Sequence, residues 1–74
     1  MDIRALVGRN VARLRQERAM TQEALSDASG ITQSYLSQIE NGHINLTLLH
    51  VHDLAYSLGI DPQMLFDRED AEKN

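Results

Sequence analysis

The chain has 74 residues, 42% of them hydrophobic, no cysteine, and a formal net charge of −4. That length supports one domain near the lower limit of core-driven folding, and the absent cysteines exclude a disulfide framework or thiolate zinc site while leaving the redox compartment open. No apolar run is long enough to cross a bilayer, so a soluble, cytoplasmic protein with no membrane partner is expected.

Ile3, Val7, Val11 and Leu14, with Leu6 beside them, recur at spacings of three and four. They predict an amphipathic helix from Asp2 to about Arg18, its other faces carrying arginines. Thr21 suits the N-cap of a second, short helix that runs through Leu25 and Ala28 and stops at Gly30. Thr32 suits the cap of a third, containing Tyr35, Leu36 and Ile39 and ended by Asn41-Gly42, a pair adapted to positive φ. Thr47 opens a fourth, in which Leu48, Val51, Leu54, Ala55 and Leu58 form one apolar stripe closed by Gly59.

Asp61-Pro62 starts a brief fifth helix with Met64, Leu65 and Phe66. The acidic stretch 67–74, DREDAEKN, has nothing to bury and is expected to fray. No strand pattern competes, and the short turns predict an all-α, five-helix orthogonal bundle over residues 1–66. Charge divides unevenly along it: residues 1–40 set five arginines against five acids, whereas 41–74 set Arg68 and Lys73 against six acids.

The segment Gln22–Asn41, QEALSDASGITQSYLSQIEN, resembles the helix-turn-helix of the phage repressor and Cro-like family, also called the XRE family. Gln22 opens the motif, Leu25, Ile31, Leu36 and Ile39 fall at its core positions, Gly30 occupies its turn, and Glu40-Asn41-Gly42 matches its ending. The flanks LRQERAMTQ and NLTLLHVHDLAYSLGI extend the match to Ile60. The resemblance implies a lambda-repressor-like bundle in which helices two and three form the helix-turn-helix. Four departures from the pattern stand out: Ala19 for glycine, Ser26 for alanine, Leu46 for proline, and the pair His43-Ile44 for basic residues. Ala19 predicts slight backbone strain, and Ser26 a hydroxyl bonded back to its own helix. The missing bases predict weak, salt-sensitive binding by one subunit.

The outer face of the third helix is almost wholly amide and hydroxyl, a chemistry that reads base edges without charge. On a small helix alone such a face is more often only solvated; the surrounding motif makes Gln33, Ser34, Ser37 and Gln38 the expected base contacts. Phosphate contacts are expected from Gln22 at the start of the second helix, from Thr32, Tyr35, Asn41 and His43, and from Arg13. The resemblance further implies that Arg15 and Glu40 form a buried structural ion pair, which directs the only acid of the third helix inward. Ile44, Leu46, Leu49, Met64, Leu65 and Phe66 suggest an apolar patch for a homodimer interface.

Glu23 and Asp27 share one exposed face that in some relatives touches RNA polymerase, although plain solubility is the commoner role of such acids. His50 and His52, two apart on a helix, diverge, and with His43 they complete no metal set. Nothing resembles a catalytic triad or carboxylate pair, so neither an enzyme nor a cofactor is expected. The resemblance implies a transcriptional regulator, a repressor or a restriction–modification controller, bound to a palindromic operator in double-stranded DNA as a homodimer. The alternative is a protein-interaction module such as an antitoxin, favoured by the acidic total and the apolar patch.

Overall fold

The computed structural model describes residues 1–68. Among the described residues four α-helices follow one another, α1 (Ile3–Glu17), α2 (Gln22–Ser29), α3 (Gln33–Glu40) and α4 (Leu48–Leu58), and then a short 3₁₀ segment, Pro62–Phe66. No strand occurs among the described residues. The expected fifth α-helix is thus a 3₁₀ turn. The segment closes on Asp67 after five residues, too few to propagate an α-helical ladder. The expected acidic tail lies, but for Asp67 and Arg68, outside the described residues.

Each helix begins where a short polar side chain satisfies a free N–H. Thr21, Thr32 and Thr47 accept from the backbone of Ala24, Tyr35 and His50. Asp2 accepts from the Arg4 backbone at 2.7 Å, and this bond holds its carboxyl below the ordinary value of 3.8. Three helix ends take the same form. After α1, Ala19 donates to Gln16 and Met20 to Arg15; after α3, Gly42 donates to Ile39 and His43 to Gln38; after α4, Gly59 donates to Tyr56 and Ile60 to Ala55. All are Schellman closures, and each needs a left-handed residue: Gly42 at φ 77°, Gly59 at φ 68° and, unusually, Ala19 at φ 54°.

α1 packs on α3 and on the 3₁₀ segment, and α2 packs on α3 and α4. Leu6, Val11 and Leu14 of α1, Leu25, Leu36 and Ile39 of α2 and α3, Leu54 of α4 and Leu65 are essentially inaccessible. Three apolar residues do not lie where periodicity or patch reasoning assigns them. Ile3 and Leu48, expected in buried stripes, are exposed, Leu48 to 88%, because each sits in a helix's first turn beyond the reach of neighbouring elements. Leu65, expected at a dimer interface, is fully buried: the tight 3₁₀ turn directs it into the core and leaves Met64 and Phe66 outside.

Two α1 residues explain the packing more than any leucine. A Cβ at Gly8 would overlap the Ile39 carbonyl oxygen and lie 2.8 Å from that of Glu40, so glycine is what lets α1 cross the end of α3 backbone to backbone. Asn10 is fully buried, and its amide donates to the Leu65 and Asp67 carbonyls at 2.8 and 3.0 Å. It thereby satisfies the irregular backbone of the terminal segment against α1.

Candidate nucleic-acid interface

Leu36 and Ile39 anchor α3 in the core, with 0% and 1% exposure. A helical period then turns Gln33, Ser34 and Gln38 to the surface, with Ser37 half-buried beside them. The four expected base-reading residues therefore share the accessible side of one short helix. None carries a formal charge, and none of their side chains is bonded to another side chain among the described residues.

Glu40, at the end of the same helix, is turned away from that surface and is only 7% exposed. Arg15 meets it with two hydrogen bonds, Nε to Oε2 at 2.8 Å and Nη2 to Oε1 at 3.1 Å. A third guanidinium N–H donates to the Met20 carbonyl at 2.9 Å, closing the α1–α2 turn. The bond to Glu40 raises the Arg15 pKa above its already high ordinary value, against the opposing effect of burial. Gln22 adds the last contact, its amide donating to Glu40 Oε1 at 3.0 Å. One carboxylate thus joins α1, the start of α2 and the end of α3.

That engagement still leaves Gln22 a second amide N–H beside the first-turn backbone N–H groups of α2, which have no acceptor within their own helix. Asn41 is similarly half-committed: its side chain donates to Ser37 O at 2.9 Å and closes α3. Thr32 spends its oxygen on the cap, and exposed His43 follows in the loop. Tyr35 is half-buried, its ring tilted 55° against that of His50 at 5.0 Å. Ser26 departs from expectation: its hydroxyl donates across the turn to the Ile31 carbonyl instead of to its own helix, pinning α2 to the residue that precedes α3's cap.

Arg13 stands apart from this group. It bonds Glu17 at 3.0 Å and Asn10 Oδ1 at 3.2 Å. It follows Gly8 by five residues, hence roughly 140° around α1 from the side that meets α3. The apolar residues expected to form one patch also divide. Ile44, Leu46 and Phe66 line a groove of about 290 Å³ with Ile3 and Leu48, whereas Leu49 opens onto a separate cleft beside Tyr35.

Gly8 and Asn10 were not legible as packing residues, and Ile3 and Leu48, expected in buried stripes, line the groove instead. The one available signal was an asparagine and a glycine set inside an otherwise regular apolar helix. No described helix is long and apolar enough to cross a membrane.

Comparison with known proteins agrees with this architecture. Residues 11–65 match a helix-turn-helix family model. The chain is 48% identical over 60 residues to the uncharacterised HTH-type transcriptional regulator y4dJ of Sinorhizobium fredii, covering 81% of this chain and 78% of that one. It is 33% identical to the control protein C.BamHI of Bacillus amyloliquefaciens, with 89% and 83% covered. The crystal structure of the restriction–modification controller protein C.AhdI from Aeromonas hydrophila superposes with a TM-score of 0.83 at 33% identity, over 85% of this chain and 96% of that one. The chain belongs to the helix-turn-helix family that includes these transcriptional regulators and control proteins.

Proposed function

We propose that residues 1–66 form a sequence-specific DNA-binding domain that regulates transcription as a repressor or autoregulatory controller. α2 and α3 act as the helix-turn-helix, and α3 enters the major groove. The observation that carries this reading is the uncharged amide and hydroxyl surface of Gln33, Ser34, Ser37 and Gln38 on a helix whose opposite face and only acid are locked into the domain. A glutamine amide gives and takes one hydrogen bond with adenine N6 and N7, which discriminates by about 1–3 kcal/mol. Gln22, Thr32, Tyr35, Asn41 and His43 flank that surface and supply phosphate contacts. Arg13, tied to Asn10 and Glu17 on another flank of α1, is the weakest member of the expected set.

Two copies joined through Ile44, Leu46, Leu49, Met64 and Phe66, with Leu48 and Ile3 added, would present two reading helices to a palindromic operator. Half-sites would then lie about 34 Å apart, or a multiple of that. The names of the control proteins and of the phage phi105 immunity repressor, 32% identical over 74 residues, support regulation of this kind. Glu23 and Asp27, exposed on α2, are placed to meet RNA polymerase should the regulator activate.

Selection of bound sequences from a random DNA pool tests the reading directly. The protein is expected to enrich one inverted repeat, and Gln33→Ala and Gln38→Ala to relax or change it at defined positions. Identical enrichment and affinity for both variants would remove the base-contact assignment. The exposed groove beside Leu48 favours one rival, a protein-interaction module such as an antitoxin. That rival predicts no sequence preference and no loss of DNA affinity as salt rises.

A further inference from the structure

A second cleft, of about 430 Å³, opens between the turn that leads into α3 and the first half of α4. Ile31, Thr32 and Tyr35 form one wall, and Leu49, His50 and Asp53 the other. Three of its properties belong together. The Tyr35 and His50 rings meet at 5.0 Å and present an aromatic surface. His50 is held there by packing, since its buried Nδ1 has no hydrogen-bond partner among the described residues. The carboxylate of Asp53, half-buried at the cleft, is likewise without an ion pair or hydrogen bond among the described residues, although Asp2, Glu17 and Glu40 each have an arginine.

An unpaired carboxylate beside aromatic faces and an exposed leucine selects a particular ligand chemistry. Anions are repelled, and a neutral apolar molecule leaves the carboxylate uncompensated. A cation with a hydrocarbon body satisfies both parts: its charge pairs with the carboxylate, and its polarised methylenes lie on the electron-rich face of Tyr35.

We propose that this cleft is a binding site for a small organic cation, an alkylammonium whose head group pairs with Asp53 and whose chain rests on Tyr35, His50 and Leu49. Binding concerns the protein without DNA and does not depend on the proposed role of α3. Because Thr32 and Tyr35 belong to both, however, a bound cation would sit against the first turn of α3.

The test is titration of ¹⁵N-labelled protein with n-butylammonium, using butyrate as the anion of matching chain length. The expected result is saturable chemical-shift change confined to amides around Thr32, Tyr35, His50 and Asp53 at millimolar amine, with none for butyrate. Asp53→Asn should abolish saturation while its remaining spectrum shows an intact fold, and Glu23→Gln should bind as the parent does. Shifts spread over the acidic surface and linear in amine, equal shifts in Asp53→Asn, or no shifts at all would overturn the proposal.

Discussion

A methyl group at position 8 would occupy space already filled by the Ile39 carbonyl oxygen. Gly8→Ala must therefore push the end of α3 away from α1, and alanine's better helix propensity recovers only part of that cost. Denaturant titration is expected to show a net loss of about 1–3 kcal/mol. At Glu40 the loss is electrostatic. Glu40→Gln leaves the Arg15 guanidinium, 13% exposed, without its counter-charge, and replaces one of the two acceptor oxygens that Arg15 and Gln22 share with an amide donor. The expected destabilisation is about 3–5 kcal/mol, a large share of the stability of so small a domain. An unchanged melting temperature would show that the pair contributes nothing. These two residues differ in how far sequence discloses them: nothing local marks Arg15 and Glu40 as partners 25 positions apart, and only the family pattern joins them. Gly8 and Asn10 respond to a carbonyl that arrives from another element, so no helical periodicity reveals them.

The ends of elements, by contrast, are chemically local and therefore readable. Threonine caps, the glycine closures at 30, 42 and 59 and the Asp61-Pro62 start all occur where the residues place them, because each depends on side chains within a few positions. The departure at Ala19 is equally readable and now has a geometry, a left-handed residue inside a Schellman closure. Relieving its Cβ contact makes Ala19→Gly stabilising by about 1 kcal/mol, less the extra entropy of a glycine in the unfolded chain. A lowered melting temperature would refute the claim of strain. What the pattern does not disclose is which way a first-turn residue faces. Ile3 and Leu48 fit apolar stripes by spacing yet lie exposed at the edge of a groove, since burial at a helix start depends on what packs there and not on period.

At the scale of the whole molecule, the difficulty for DNA binding is a shortage of free positive charge. Arg4, Arg13 and Arg15 are each paired with an acid of their own chain, the net charge is −4, and the loop that follows α3 offers His43-Ile44 and no lysine or arginine. One subunit then releases few counterions, and its affinity must be modest. Under the proposed reading a second copy would double the contacts, and the groove beside the 88%-exposed Leu48 could serve an isologous contact in which each copy offers the same knob and the same hollow. Leu48→Asp isolates that step, because a side chain so exposed contributes little to the monomer's core. Sedimentation should find the parent dimeric at micromolar concentration and the variant monomeric. The parent's melting temperature should rise with protein concentration while the variant's stays constant. On a DNA duplex with two half-sites the variant should lose roughly a hundredfold or more in affinity, and its slope of log affinity against log salt should fall to about half, as one set of phosphates is contacted instead of two. A parent that sediments as a monomer, or a variant with the parent's salt slope, would transfer the second copy to another face or leave the operator contacts to a single subunit.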